Sequence, residues 1–193
     1  MRKVFNQYCF KFFMPIIACV GMASSCSSSK KPITNDSGMQ KLNELITTNQ
    51  FEILSDWAMP LATASMNSLA NSGLLPPGSS ASQINLIGNS NYVKIMGDSL
   101  SVYLPYFGER QMGGAYNTNG PGIGFEGIPE RMEVTKNEDK QRYDILLKID
   151  NDSENFTLNI GLYPNFKSTI NVTSSKRFPI RYSGSVQAIE GEE

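Results

Sequence analysis

The sequence predicts a mainly β, α+β domain: an antiparallel meander forming a curved sheet, a sandwich or an open barrel, with one short N-terminal helix. Three observations carry this. Apolar residues recur with period two in run after run from Phe51 onward, the pattern of strands with one buried face. Short polar turns separate the later runs. They suit antiparallel neighbours and leave no room for the helical crossovers of a parallel sheet. A helical period stands out in one place, ahead of the first run.

The elements follow in order. Met39 to Thr48 reads as a helix, with Met39, Leu42, Leu45 and Ile46 on one face and Asp36 and Ser37 offering capping oxygens before it. Phe51 to Met59 reads as a strand whose Phe51, Ile53, Trp57 and Met59 point one way, ended by Pro60. Leu61 to Leu69 fits a strand or a short helix. The rest, to Asn89, reads as a long loop through Pro76-Pro77-Gly78 that ends in a strand around Gln83 to Ile87. Tyr92 to Met96 and Ser99 to Leu104 flank a two-residue turn, Gly97-Asp98, the signature of a hairpin. Arg131 to Thr135 and Arg142 to Ile149 flank a polar turn at Asn137-Glu138-Asp139. Three further strands are marked by Phe156, Leu158, Ile160 and Leu162, by Ile170 and Val172, and by Ile180, Tyr182, Gly184, Val186 and Ala188.

Composition narrows the chemistry. Of 193 residues, 40% are hydrophobic and 18% charged, which suits one folded domain with a lightly charged surface. Three of the 17 basic residues and none of the 18 acidic ones lie in the first 25 positions. The remainder therefore carries 14 against 18, a net charge of −4. That is no electrostatic footprint for nucleic acid. There is no histidine, and no cysteine follows Cys26. The domain thus lacks the residue types for a disulfide framework, a thiol nucleophile or a zinc site, and neither a metal nor a cofactor is expected.

Residues 1–25 have the parts of a secretory signal: basic Arg2 and Lys3, then the apolar stretch Phe12 to Ala23, too short to span a membrane of ~20 residues. Ala23-Ser24-Ser25-Cys26 followed by serines resembles a bacterial lipobox, whose cysteine is acylated. Cys26 is preferred to Cys19, because cleavage there leaves no stray thiol for an oxidising compartment. Residues 26–38 then form a flexible tether and 39–193 the single domain. Several acyl chains on one cysteine anchor stably. In the lipoproteins this segment resembles, serine after the cysteine goes with the outer membrane and an acidic cluster close behind it with the cell surface; Lys30-Lys31 stand there instead, so the resemblance implies the periplasmic face.

Two motifs ask for chemistry. Gly97-Asp98-Ser99-Leu100 looks like a hydrolase nucleophile motif, but a serine nucleophile needs a base and the chain has no histidine. A turn is the better reading. Asp98-Ser99-Leu100 also resembles the O-glycosylation tripeptide of some Gram-negative gut bacteria, which makes Ser99 a candidate attachment point. Tyr103-Leu104-Pro105-Tyr106-Phe107-Gly108, with Arg110 and Tyr116, offers an aromatic surface beside a glycine-rich loop for a ligand or partner. Against it stands a plainer reading, a strand end capping the core. Gly120-Pro121-Gly122-Ile123-Gly124 lacks the lysine and helix of a phosphate loop. Asp150 to Glu154 lacks the spacing of a calcium loop and reads as a turn.

Phe51 to Pro60, Asn91-Tyr92-Val93-Lys94-Ile95 with Gly97-Asp98, Tyr103 to Gly108, Gly124-Phe125 and Arg181-Tyr182-Ser183-Gly184 together resemble a family of uncharacterised bacterial lipoproteins, domain of unknown function 4251. The resemblance covers about Leu42 to Val186 and departs in a longer segment around Asn71 to Ser82. It implies an exported lipoprotein of Gram-negative gut bacteria and supplies no activity, cofactor or catalytic residue. The expected function is a non-catalytic binding or assembly module of the envelope. Its partners are the membrane, through the lipid anchor, and an envelope protein, glycan or lipid. The alternatives are a histidine-independent hydrolase using Ser99 or paired carboxylates, and a purely structural envelope protein.

Overall fold

A computed structural model describes residues 36–111, 122–151 and 154–189. The signal segment, Cys26 and Tyr116 lie outside the described residues. Among the described residues two helices, α1 (Asp36–Thr48) and α2 (Ala64–Asn71), accompany ten strands: β1 (Gln50–Pro60), β2 (Ile84–Asn85), β3 (Tyr92–Met96), β4 (Ser99–Leu104), β5 (Ile123–Gly127), β6 (Arg131–Asn137), β7 (Arg142–Asn151), β8 (Glu154–Leu162), β9 (Lys167–Ser174) and β10 (Ile180–Ala188). α1 begins at Asp36, so Asp36 and Ser37 stand in its first turn rather than before it. The segment left open between strand and helix is α2, whose first turn is capped by Thr63 Oγ1 accepting from the Met66 N–H at 3.3 Å.

All strands lie in one antiparallel sheet, in the order β5-β4-β3-β1-β10-β9-β8-β7-β6, with β2 also beside β1. It is two meanders joined where β1 pairs with β10. The edges β5 and β6 are separated by only Ile128, Pro129 and Glu130. Laid flat, nine strands at ~4.8 Å spacing would hold these edges ~38 Å apart, whereas four Cα steps reach at most ~15 Å. The sheet must therefore curl. One stretch of chain pairs first with β4 and then with β7, changing partner across Gly127, at φ +145°, and buried Pro129. Asn151 Nδ2 also donates to the Gly124 carbonyl at 3.2 Å across the seam.

The inside of the curl is filled by a single apolar cluster that includes Phe51, Ile53, Ile95, Leu104, Leu147, Leu158, Ile170 and Tyr182. At one mouth α1 buries Met39 and Leu42, and Tyr143 Oη donates to Asn43 Oδ1. Gly38 lies so close to the Pro164 carbonyl that a Cβ there would come within 2.5 Å of its oxygen. At the other mouth stand the ends of β1 and β4, α2, and the loop between β9 and β10.

One strand expectation needs correction, and one strand was not expected. In β1 the register shifts between Ser55 and Trp57. This bulge reverses the alternation, so Ala58 and Pro60 are buried while Trp57 and Met59 turn outward. β5 was hidden in the glycine-rich stretch: Ile123 is buried, but Gly124 and Gly127 blur its period.

Candidate functional site

The mouth opposite α1 holds a buried ion pair. Glu154, the first residue of β8, points inward, and Arg177 reaches it from the β9–β10 loop; both side chains are almost fully buried. Arg177 Nε donates to both Glu154 oxygens, at 2.9 and 3.1 Å, and Nη1 donates to the Gly122 carbonyl at 3.1 Å. Ser174 Oγ donates to the same carboxylate and accepts the N–H groups of Lys176 and Arg177. The guanidinium lies 5.0 Å from the Tyr106 ring centroid and 5.6 Å from that of Phe156. Tyr106 Oη is placed to donate to the Glu109 and Phe178 carbonyls, at 3.0 and 3.1 Å, and Tyr182 Oη donates to the Pro105 carbonyl at 2.8 Å. Burial pushes both tyrosines above their ordinary pKa, against the pull of Arg177, so they stay protonated and act as donors. The cluster is a clasp that ties residues 105–111 and 122 to β8–β10.

The aromatic surface expected from sequence is divided by this clasp. Tyr103 faces outward from β4 and is 45% exposed; its ring lies 6.1 Å from that of Tyr92, over which Lys94 Nζ sits at 5.0 Å. Tyr106 is committed to Arg177, and Phe107 packs partly against the core. Arg110 is exposed and forms an isolated β-bridge with Arg177. Glu109 leans on the hydroxyls of Thr63 and Ser65 at the start of α2, and these hydrogen bonds hold its carboxyl below the usual pKa. Ser99 is exposed at the start of β4, next to the turn in which Gly97 takes φ +64°. Among the described residues no cluster of three His, Cys, Asp or Glu side chains is placed to hold a metal.

A second feature was not anticipated. A groove of about 330 Å³ crosses the outer face of β7, β8 and β9, lined in part by Arg142, Asp144, Asn159, Gly161, Thr169 and Asn171. Register explains it: Asp144, Gly161 and Thr169 form one cross-strand row, and Leu146, Asn159 and Asn171 the next. Gly161 makes the floor, because a Cβ there would stand 3.0 Å from Thr169 Oγ1 and 3.6 Å from Arg142 Nη1. Arg142 Nη1 donates to Tyr163 Oη at 3.1 Å, and the guanidinium lies 5.7 Å from that ring's centroid. Its Nε lies 2.7 Å from Asp144 Oδ1 but out of line for a hydrogen bond, so the contact is an ion pair. Burial works against the charge on Arg142, but the Tyr163 hydrogen bond and Asp144 outweigh it and raise its pKa. Asp144 Oδ2 accepts from Asn137 Nδ2 at 3.0 Å, and Asn171 Oδ1 accepts from Arg181 Nε at 3.0 Å. Contacts within the protein thus hold Arg142, Asp144 and Asn171 in place around the groove.

The family model for a domain of unknown function, DUF4251, matches residues 35–186. The chain belongs to the DUF4251 family. A crystal structure of a DUF4251 family protein from Bacteroides eggerthii DSM 20697 shares the fold. Its TM-score is 0.52 at 12% identity, covering 79% of this chain and 88% of that one. No curated protein matches the chain.

For this DUF4251 chain the groove had a readable but faint signal. The outward positions of β8 and β9 carry Asn159, Gly161, Thr169 and Asn171 where a solvated face more often carries Lys and Glu, and β7 adds Arg142, Asp144 and Leu146 beside them. The clasp had less, since Glu154 sat in a turn-like run and Arg177 in a loop.

Proposed function

We propose that this protein is an exported, lipid-anchored, non-catalytic binding module, acylated at Cys26 and held at the periplasmic face of the outer membrane. Its ligand site is the groove over β7–β9, and its ligand is a hydroxyl-rich glycan. The groove's chemistry supports this most. The Asn159 and Asn171 amides, Thr169 hydroxyl, Asp144 carboxylate and Arg142 guanidinium surround a glycine floor. Amides, carboxylates and guanidinium forks match the paired donors and acceptors of neighbouring sugar hydroxyls. The non-catalytic part rests on the chain's lack of histidine and on Ser99 standing at a hairpin turn.

A glycan array probed with the mature chain, followed by calorimetry on the hits, tests the reading. Arg142→Ala and Asn171→Ala should each weaken binding at least tenfold, which is ~1.4 kcal/mol. A parallel ester and glycoside screen bears on mechanism: turnover abolished by Ser99→Ala would replace the binding module with a hydrolase. Protease treatment of whole cells tests the membrane face, and protection of the chain until the outer membrane is breached is the expected result.

A further inference from the structure

The sheet surface around the groove carries the opposite charge to the chain as a whole. The chain beyond residue 25 has a net −4, yet the outward positions of β7–β10 hold four cations, Arg142, Lys148, Lys167 and Arg181, against two acids, Asp144 and Asp150. β6 beside them is balanced, because its Arg131 and Glu133 form an ion pair. Two of the four cations have an acid at hand. Arg142 is paired with Asp144, and Lys167 lies 4.0 Å from Asp56 of β1. Among the described residues Arg181 and Lys148 stand in no ion pair. Both adjoin the groove. Arg181 stands across from Asn171 and holds its Oδ1, and Lys148 is the next outward residue of β7 after Leu146.

The hydrogen bonds point the same way. Asp144 has one oxygen against Arg142 and the other against Asn137, and Asn171 Oδ1 is taken by Arg181. The bonds described leave donors over: the second terminal nitrogen of Arg142, the Asn171 amide nitrogen and the terminal nitrogens of Arg181. Spare donors, two unpaired cations and a carboxylate already engaged suit a ligand that brings its own negative charge. We infer that the glycan is anionic, with carboxylate or sulfate groups on its sugars, an inference that rests on the groove being the glycan site. Arg142, Asn171 and Arg181 hold the acid groups at the groove, and Lys148 holds them beside it. The acidity of the rest of the chain does not oppose this, because salt screens exposed charges beyond a Debye length of about 8 Å.

The buried core among the described residues lies within 39–186, so the chain from residue 26 with Cys26→Ser keeps the fold and carries no acyl group. This protein is read on an array that sets uronic-acid, sialylated and sulfated glycans beside neutral counterparts of the same sugars. The glycans bound should be the acidic ones. Blocking their acid groups, by methyl esterification or by desulfation, should weaken binding at least tenfold in calorimetry, and the treatment that does so tells carboxylate from sulfate. Raising the salt from about 50 to about 500 mM should weaken binding of the acidic glycan. Lys148→Gln with Arg181→Gln, both on the outer face, should cost at least tenfold and flatten that salt dependence, with the circular dichroism spectrum unchanged. A neutral glycan bound as tightly as its acidic counterpart, and lost in Arg142→Ala, overturns the anionic ligand and keeps the groove. An acidic glycan indifferent to Lys148→Gln with Arg181→Gln overturns it too. No glycan bound at all overturns the groove reading and this inference with it. Binding to phosphatidylglycerol vesicles that the double variant loses, with no acidic glycan bound, makes the ligand a membrane surface and also overturns the inference.

Discussion

Arg177→Met should cost about 3–5 kcal/mol, the range for removing one partner of a buried ion pair. The guanidinium makes two bonds to Glu154, one to the Gly122 carbonyl, and stacks against Tyr106 and Phe156. Charge-assisted hydrogen bonds contribute ~1.5–3 kcal/mol each and a desolvated cation–π contact up to ~2, but they share one cation and do not add. What dominates is the stranded carboxylate. Glu154 would keep only its Ser174 donor among the bonds described, inside the protein. Against a total stability of about 5–15 kcal/mol this is a large fraction. Replacing both charges, Glu154→Leu with Arg177→Met, should recover most of it, since an apolar pair strands no charge. Urea unfolding followed by circular dichroism reads both variants. A single substitution costing under ~1 kcal/mol, or a double variant worse than the single, would refute the clasp.

Gly184→Ala should be among the most damaging single methyl additions in the domain. A Cβ there falls 1.9 Å from the Leu54 carbonyl oxygen, at the central β1–β10 pairing, so the expected loss is at the upper end of ~1–3 kcal/mol or beyond, read as a fall in melting temperature. Alkali should destabilise the fold. Tyr106 and Tyr182 have folded-state pKa values raised above the ordinary ~10, so their contribution is whole below pH ~10 and is lost as pH rises above it. Urea midpoints at pH 8, 10 and 11 should fall in that order, and Tyr182→Phe should flatten the trend. Mass spectrometry of the mature N-terminus should find an acylated cysteine at position 26, and Cys26→Ser should release the protein from membranes.

The strands were legible because alternation needs only one buried face: β3, β4 and β7–β10 follow apolar runs visible in the chain. The β1 bulge was not, since Trp57 and Met59 look like the next beats of Phe51 and Ile53 until the pairing with β10 shows the slip. β5 escaped because two glycines and a single buried residue give no period. Its place at a seam depends on how far the whole sheet curls. Tyr103 and Tyr106 read as one surface because they are close in sequence. Pro105 stands between them, and the cation that claims Tyr106 comes from a loop far along the chain. The groove had to wait for register, because its rows take one residue from each of three strands.

The most direct test of the account is glycan binding by the mature chain, wild type against Arg142→Ala, with folding checked by circular dichroism. The account predicts a glycan that binds the wild type and loses at least tenfold in affinity when Arg142 is removed from an intact fold. Glycan binding indifferent to Arg142 and Asn171, or no glycan bound by the wild type, would contradict it.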